Sequence, residues 1–406
     1  MAAAVWTCRV VLTAALLAPT AGADGAGATD GQPPLARRLK AYSGTHYVLH
    51  TDLGDDAAGE ALARMDAMAE EYRRRTREFA GSIRSRFRFS VFARAADYHR
   101  AGGPAGSGGI YHAGKRALLA VAEQGTGDGL WYVVQHEGFH QFADRVIGGD
   151  LPTWLNEGLA EYFAHGLWTG DGFVTGVVPP PRLRRVQEQI RGGKARSFGE
   201  LFRLTATQWS RDLRGRAGAT GPSPARVNYD QAWAHVHFLV HADGGKHRAA
   251  LTGLIRDVAG GADGQAAFRR RFGRDVRPLD DRCKQWWLGL APDATADLYT
   301  QAVVATLTSF FARAVAQGQR FATAEAFFRT ARAGSLKAHA TQWLPPRLLQ
   351  DALAHAARWR PAWSIDHAAA PPRLVLTWPA GKTFTGSFTH AGGKAANVRV
   401  HVAGTD

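Results

Sequence analysis

Two short stretches of the chain decide its interpretation: HEGFH at residues 136–140 and NEGLAEYF at residues 156–163. Apolar residues recur at helical spacing around both stretches and predict helices over about 130–145 and 152–165. Residues 148–152 between them are rich in glycine and end in proline, which suits the end of one helix and the start of another. The question is whether the two helices form one metal site or are unrelated helices rich in His and Glu.

The first stretch carries two metal-ligating side chains on one helix face. His136 and His140 are four positions apart, so both imidazoles can reach one ion. Glu137 lies about a quarter-turn away, off the ligand line but near enough to contact water at the ion. A catalytic zinc ion takes three protein ligands and keeps one position open. The first helix therefore needs a third ligand from elsewhere in the chain.

The second stretch supplies two candidates for that ligand. Its apolar stripe consists of Leu151, Leu155, Leu159 and Tyr162 or Phe163. Glu157 and Glu161 are four positions apart on a different face, so burial of the stripe turns both carboxylates toward a neighbouring helix. One carboxylate added to two histidines completes a common zinc shell. Spacing alone leaves open which of the two glutamates binds the metal.

HEGFH followed by LPTWLNEGLAEYF resembles the gluzincin metallopeptidases, in particular the peptidase MA-like family, and the aminopeptidase N group shares the LNEG portion. The resemblance is strong over about 130–165 and fainter over 45–290, and it does not cover the C-terminal third. It implies a zincin-like catalytic domain that binds Zn²⁺ through His136, His140 and Glu157. The implied activity is hydrolysis of peptide bonds in a peptide or protein substrate.

The resemblance also implies roles for two further glutamates. Glu137 would take a proton from zinc-bound water as that water attacks a peptide carbonyl. Thermolysin-like gluzincins place an acid four residues after the ligand Glu, where it holds the first ligand histidine, and Glu161 occupies that position. Such a contact fixes the tautomer of the histidine. Glu161 as ligand in place of Glu157 is the alternative, and Asp144 is a second candidate for supporting a histidine.

Two features depart from the aminopeptidase N pattern. Sixteen residues separate His140 from Glu157, slightly fewer than in that group, and no Gly-Met-Glu-Asn segment is present. The first difference changes the length of a loop and leaves the predicted site intact. The second means that exopeptidase specificity is not implied.

Two other segments are candidates for the chemistry of such a site. Tyr229 opens a predicted helix, NYDQAWAHVHFLVH, and is a candidate donor to the oxyanion of the tetrahedral intermediate. His235, His237 and His241 follow on that helix, and a structural role is the main alternative for each of them. The hairpin at 109–122 precedes the site and is placed to bind an extended substrate by strand addition, or is an ordinary buried hairpin.

The overall pattern predicts an α+β protein. Strands are predicted at 45–52 and 87–93, a helix at 57–79, and the hairpin completes a small, strongly twisted sheet. Further helices are predicted near 181–191, 197–204, 229–242, 246–257, 263–271 and 278–290, and residues 211–226 are predicted to be a mobile loop. We predict a signal peptide at 1–23, a gluzincin-like metallopeptidase domain at 24–292, a helical region at 293–364 and a C-terminal β segment at 365–406.

The N-terminus and the charge indicate an exported, basic protein. Arg9, the apolar run 10–18 and the small residues at 21–23 form an export-signal pattern, with an uncleaved N-terminal anchor as the alternative. The run is short for a membrane span, and no other stretch approaches about twenty apolar residues. Cleavage after residue 23 leaves one cysteine, Cys283, which excludes an internal disulfide. The net charge of +15 favours attraction to an anionic surface or polymer, and no nucleic-acid motif accompanies it. We expect a periplasmic or extracellular protein.

Three functions remain after this reading. The first is an exported zinc-dependent metallopeptidase. The second is a non-catalytic binding protein that retains a peptidase-like fold and uses its basic surface or its C-terminal β segment. The third is a structural zinc protein, which an open ligand position and the base Glu137 make less favourable. Replacement of Glu137 by glutamine separates them.

Overall fold

The protein has an α+β fold, as the sequence predicts. The computed structural model describes residues 39–404 except 124, 126, 215–222, 359–361 and 380. These residues contain fourteen α-helices, a mixed sheet near the N-terminus and an antiparallel sheet near the C-terminus. The signal peptide predicted at 1–23 lies outside the described residues.

The described chain divides into two compact units. The first unit comprises residues 39–58, 72–165 and 178–294, and the second comprises 59–71, 166–177 and 295–404. Each unit therefore collects segments that are separated in sequence. The domain limits predicted at 292 and 364 stay predictions.

A five-stranded mixed sheet begins the first unit. Its strands are β1 (Lys40–Ser43), β2 (Tyr47–Thr51), β3 (Phe87–Phe92), β4 (Gly109–His112) and β5 (Ala117–Val121). In the order β1-β2-β3-β5-β4, the three central strands are parallel and the two outer strands pair antiparallel to their neighbours. Alternate residues of β2 are buried and β3 begins with the same alternation, as a period of two requires, whereas the first four residues of β5 are all buried. Strand β4 is thus an edge strand, joined to β5 by the predicted hairpin.

Eleven helices follow or accompany this sheet in the described residues up to 294. They are α1 (Asp55–Thr76), α2 (Ala95–Arg100), α3 (Asp128–Phe142), α4 (Thr153–Ala164), α5 (Pro180–Arg191), α6 (Phe198–Arg203), α7 (Ala206–Arg214), α8 (Pro224–His241), α9 (Arg248–Ala259), α10 (Gly264–Phe272) and α11 (Arg277–Gly289). Helix α3 packs against β4, β5 and α4, and α4 packs against α3 and α8. These contacts place the two decisive stretches of sequence side by side.

Aromatic side chains fix the relative positions of α3 and α4. Tyr72, Phe139 and Phe163 are buried and contact one another, with ring centroids 4.9 to 5.7 Å apart. The Tyr72 hydroxyl donates a hydrogen bond to the backbone oxygen of Gln135, at 2.6 Å. Burial of each large ring stabilises the fold by about 2–3 kcal/mol. This cluster holds the helix that carries His136.

The connection from α3 to α4 depends on two glycines. Helix α3 runs into a π-helical turn at Ala143–Ile147, after which Gly148 and Gly149 have φ of 73° and 71°. Only glycine adopts such φ values readily. A Cβ at Gly149 would also lie 2.7 Å from the backbone oxygen of Val258. The chain can therefore reverse within a few residues, and Pro152 precedes the first residue of α4.

The second unit combines helices with a C-terminal sheet. Its elements are the short hairpin β6 (Leu167–Trp168) and β7 (Phe173–Val174), helices α12 (Ala296–Ala316), α13 (Ala324–Arg332) and α14 (Pro346–Arg358), and strands β8 (Ala362–Asp366), β9 (Arg373–Thr377), β10 (Thr383–Ala391) and β11 (Lys394–Ala403). The last four strands form an antiparallel sheet in the order β11-β10-β9-β8. Val304 of α12 packs against Leu376 and Phe384 of this sheet. The predicted helices and C-terminal strands of this region are present.

The structure corrects the prediction of a mobile loop at 211–226. Helix α7 extends to Arg214 and α8 begins at Pro224, so both ends of that segment are helical. The Ser223 side chain accepts a hydrogen bond from the backbone N–H of Arg226 at 3.3 Å and caps α8, with Pro224 in its first turn. Tyr229 consequently lies in the second turn of the helix and does not open it. The Gly and Pro content of the segment concealed both helix ends.

None of the helices in the described part of the chain combines the length and apolar composition that a membrane-spanning helix needs.

Candidate metal centre

The two decisive stretches meet in the first unit. Helix α3 presents His136, Glu137 and His140, and α4 presents Glu157 and Glu161. His136, Glu157 and Glu161 are at most 2% exposed, and Glu137 is 5% exposed. Burying so many ionisable groups costs free energy unless they pair with each other or bind an ion. This concentration of buried ionisable groups makes the site the candidate functional site.

Three ligand atoms converge on one point. The Nε2 atoms of His136 and His140 are 3.1 Å apart. The Oε2 atom of Glu157 lies 3.2 Å from the first and 3.5 Å from the second. Ligands held at zinc–nitrogen and zinc–oxygen bond lengths around a tetrahedral ion are separated by about 3.3 Å. The three side chains therefore have the spacing that a common metal ion requires.

The chemistry of these atoms also suits a divalent cation. Two imidazole nitrogens and one carboxylate oxygen form a donor set that zinc takes in catalytic sites. Glu157 Oε2 is buried and accepts no hydrogen bond from the described residues. Its polar neighbours are the two imidazole nitrogens at 3.2 and 3.5 Å, and an ion at the convergence point would satisfy it when both imidazoles are neutral. Among the described residues, this trio is the one group of His, Cys, Asp or Glu with metal-binding geometry.

Glu161 contacts the opposite side of the first histidine. Its Oε1 atom lies 3.1 Å from His136 Nδ1, while His136 Nε2 faces Glu157. A carboxylate at Nδ1 holds the proton there and directs the Nε2 lone pair toward the ion. This geometry favours Glu157 over Glu161 as the ligand. Asn156 Oδ1 lies 3.2 Å from His140 Nδ1 and occupies the equivalent place at the second histidine.

A buried arginine holds Glu161 in turn. Arg182 from α5 forms an ion pair with Glu161 Oε2 and another with Asp230 Oδ1 of α8, at 3.0 Å. It donates a hydrogen bond to the backbone oxygen of Tyr229 at 2.9 Å and stacks on Trp233, with its guanidinium carbon 4.5 Å from the ring centroid. The Arg182 side chain is 5% exposed. Its guanidinium group therefore links α4 to α8, because it contacts Glu161 on the first helix and Asp230 on the second.

The pKa values in the cluster reflect these contacts. Burial lowers the pKa of His136, but the Glu157 and Glu161 carboxylates outweigh it and raise that pKa to about 10. Burial raises the pKa of Glu157, but His140 and His136 lower it to about 2. Without a metal, the carboxylates thus stabilise a proton on His136. A cation bound at Nε2 takes the place of that proton, because ligand imidazoles must be neutral.

Glu137 is held by the edge strand of the sheet. Its Oε2 atom accepts a hydrogen bond from the backbone N–H of Tyr111 in β4, at 2.8 Å. The Tyr111 hydroxyl donates to Asp144 Oδ2 at 2.5 Å, so Asp144 supports the strand and not a histidine. The structure therefore brings the hairpin predicted at 109–122 next to the predicted base.

Tyr229 lies beside the cluster and is 6% exposed. Its ring centroid is 6.1 Å from that of His136. Its hydroxyl lies near Trp209, whose indole N–H can only donate, so the hydroxyl proton has no acceptor among the described residues. Burial raises the pKa of this hydroxyl well above 10, and the charge of Glu157 raises it further. The hydroxyl is therefore protonated at neutral pH and available as a donor.

The three histidines that follow on α8 lie outside the metal cluster. His235 Nδ1 is 2.6 Å from the backbone oxygen of Gln231, and its ring packs edge-on against Phe198 with centroids 4.1 Å apart. His241 Nε2 is 3.0 Å from the Tyr162 hydroxyl. His237 packs against His241, with centroids 4.5 Å apart. These contacts fit the structural alternative for each histidine.

Sequence reasoning missed Arg182, Asn156 and Tyr132, whose hydroxyl donates to Glu161 Oε2 at 2.5 Å. Helical spacing could have identified Arg182, because it places this residue on the same side of α5 as Leu183, Val186 and Gln189, which are all buried. An arginine on the apolar face of a helix needs a buried acid. Asn156 and Tyr132 carry no such signal, because both residues are common on helix surfaces.

Comparison with known proteins adds one finding. The family described as "Protein of unknown function (DUF1570)" matches residues 132–258, a range that includes both halves of the metal cluster and Tyr229. No curated protein matches the chain.

Proposed function

We propose that the protein is a zinc-dependent metallopeptidase of gluzincin type. The observation that carries this proposal is the convergence of His136 Nε2, His140 Nε2 and Glu157 Oε2 within 3.1 to 3.5 Å of each other, with Glu137 beside them. Zinc held by these three residues would act as a Lewis acid, which lowers the pKa of a coordinated water and polarises the substrate carbonyl. The substrate would be a peptide or protein.

Glu137 is the base in this proposal. The hydrogen bond from Tyr111 N–H fixes Oε2, which leaves Oε1 to accept a proton from the attacking water. The same carboxyl group then delivers that proton to the leaving amine. Because the side chain is 5% exposed, its position is set by the protein and not by solvent.

Tyr229 and β4 contact the substrate in this proposal. The hydroxyl of Tyr229, whose proton has no acceptor among the described residues, donates a hydrogen bond to the oxyanion that forms on the substrate carbonyl. Strand β4 has an open edge in the described sheet, so it can pair with an extended peptide beside Glu137. Glu161 and Arg182 keep His136 oriented throughout. The export signal at 1–23 would direct this activity to the periplasm or the cell exterior.

The isosteric variant Glu137→Gln tests the proposal, with a denatured protein and a random peptide library as substrates. Glutamine cannot accept the proton, so we expect hydrolysis to fall by about 10²- to 10⁴-fold while zinc content is unchanged. The exposed Glu188→Gln on α5 is the matched control and keeps full activity. Unaltered hydrolysis by the Glu137 variant would refute the mechanism. A zinc-loaded wild type that cleaves no substrate would favour the non-catalytic binding protein instead.

A further inference from the structure

A cationic cavity lies in the first unit, outside the metal centre. It has a volume of about 280 Å³ and is lined by Arg86, Phe87, Arg88, Lys115, Arg116 and Arg145. Five of these six residues carry a positive charge, and all five are exposed. We call this feature the basic cavity. It is formed at the end of the sheet where β3 and β5 begin and β4 ends.

The charges of the basic cavity are not neutralised by the described part of the chain. None of the five cations forms an ion pair with a carboxylate there. Lys115 Nζ donates to the backbone oxygen of Ala101 at 2.7 Å, and Arg145 Nη2 donates to Ser85 Oγ at 3.2 Å, both of which are neutral acceptors. Five clustered like charges repel one another, and a bound anion removes that repulsion.

The basic cavity lies next to the end of the edge strand in sequence, because its lining comes from the start of β3, the turn from β4 to β5 and the π-helical turn after α3. Tyr111 of β4 donates its N–H to Glu137, and Lys115 and Arg116 follow four and five residues later in the turn to β5. On the other side, Arg145 directly follows Asp144, which accepts the Tyr111 hydroxyl. Four residues of extended chain span at most about 14 Å. A peptide lying along β4 therefore reaches the basic cavity within about four residues of Glu137.

We propose that the basic cavity binds acidic side chains of a polypeptide that lies along β4. The substrate class that follows is a polypeptide with Asp or Glu close to the cleaved bond. This assignment of a substrate rests on the proposed peptidase function. A concave cavity of this size encloses one or two carboxylates and fits a side chain better than a flat lipid surface. Its position at the end of an open strand edge favours a polypeptide over free phosphate.

The binding test uses the full-length chain with Glu137→Gln, so that no cleavage occurs, and a fluorescent octaglutamate peptide as probe. The variant pair is Arg88→Glu with Arg116→Glu, because neither side chain makes a hydrogen bond within the described residues. The matched control, Arg269→Glu with Arg274→Glu, makes the same charge change at exposed sites elsewhere. We expect octaglutamate binding to weaken at least about tenfold in the first pair and less than about twofold in the control. Both pairs should retain their zinc content.

The outcomes separate this proposal from its rivals and from the peptidase proposal. Equal weakening in both pairs would mean that octaglutamate responds only to net charge, and would overturn the assignment. Binding of inorganic phosphate or of phosphatidylglycerol vesicles without octaglutamate binding would overturn it as well. The probe is bound and not cleaved, so this test does not require peptidase activity. If octaglutamate binding depends on Arg88 and Arg116 in a protein that cleaves no peptide, the result supports binding at the basic cavity and not the peptidase function.

The cleavage test uses active protein and a random peptide library. We expect cleaved bonds to be enriched for Asp or Glu within about four residues, and we expect Arg88→Glu with Arg116→Glu to abolish that enrichment while the library is still cleaved. Cleavage without any acidic preference in the wild type would overturn the proposal and leave the peptidase function standing.

Discussion

His136 is constrained on both sides of its imidazole ring. Nε2 faces Glu157 Oε2 at 3.2 Å, and Nδ1 faces Glu161 Oε1 at 3.1 Å. Each nitrogen thus has one carboxylate. In the proposed metal site, one carboxylate would complete the ligand set and the other would set the tautomer. Because the ring is 1% exposed, water cannot substitute for either of them. In the proposed metal site, the orientation of this one ring therefore assigns Glu157 as the ligand.

A prediction at this scale concerns Tyr229. Replacement by phenylalanine removes a buried hydroxyl whose proton has no acceptor among the described residues and which Trp209 contacts only weakly, so the free energy of unfolding should change by no more than about 1 kcal/mol. Loss of an oxyanion donor should lower kcat by about 10²- to 10³-fold. Urea unfolding and peptide hydrolysis measure the two effects on one sample.

Tyr299→Phe is the control for this prediction, since it removes a partly buried hydroxyl from the second unit. It should leave kcat unchanged. A Tyr229→Phe enzyme with wild-type turnover would show that Tyr229 only fills space beside His136.

At the scale of elements, the site depends on how closely α4 approaches α8. A Cβ at Gly158 would lie 2.5 Å from the backbone oxygen of Ala232 and 2.7 Å from Val236 Cγ2. No side chain fits there, and Gly158 directly follows Glu157. The glycine therefore lets α4 lie against α8 at the height of Glu157, the proposed metal ligand.

Gly158→Ala should push α4 away from α8 and displace Glu157. We expect a loss of about 1–3 kcal/mol in the free energy of unfolding and a weaker zinc affinity, measured by urea unfolding and by competition with a chelator. The comparison is Gly199→Ala in α6, whose added Cβ meets nothing nearer than 3.8 Å. That variant should be stabilised by about 0.5–1 kcal/mol. If both variants behave alike, close approach of the helices is not what Gly158 provides.

The sequence predicted most elements for identifiable physical reasons. Helices α3, α4 and α8 are apolar over much of their length and buried on most sides, and the hairpin of β4 and β5 alternates around a glycine turn. The predicted bounds of α3, α4 and the hairpin agree with the structure within a few residues, whereas α8 begins five residues before its predicted start. Helix α7 was missed, because Gly and Pro residues beyond its end resemble a loop. The spacing of apolar residues indicates which face of a helix or strand is buried. It cannot be recognised where Gly and Pro residues interrupt the apolar pattern.

The candidate site was predictable where its residues belong to one helix and less so elsewhere. His136, Glu137 and His140 follow from spacing alone, and Glu157 followed from the family resemblance. The Arg182 contacts with Glu161 and Asp230 join residues far apart in the chain, and only the packing of α5 on α8 brings them together. Spacing in sequence carries no information about such contacts.

At the scale of the whole molecule, buried neutral histidines make stability depend on pH. Burial lowers the pKa of both His235 and His241 to about 4, from an ordinary value of 6.5. The unfolded chain takes up protons below pH 6.5, whereas the folded chain does so only near pH 4. Stability is therefore fully present above pH 6.5 and is lost as the pH falls toward 4.

We expect His235 to account for about 3 kcal/mol of that loss, since one pKa unit corresponds to 1.36 kcal/mol. Urea unfolding of the wild type and of His235→Gln at pH 7.5 and 4.5 measures it. The variant should lose less stability on acidification than the wild type. His390→Gln, at an exposed position, should lose as much as the wild type. Equal acid sensitivity of all three proteins would exclude His235 as the source.

The central claim is that His136, His140 and Glu157 bind zinc together, and elemental analysis of purified protein after exhaustive dialysis tests it most directly. We predict about one zinc ion per chain in the wild type and far less in Glu157→Gln, with Glu188→Gln equal to the wild type. A wild-type protein that retains no zinc after incubation with the metal, or a Glu157 variant that retains as much as the wild type, would contradict the account.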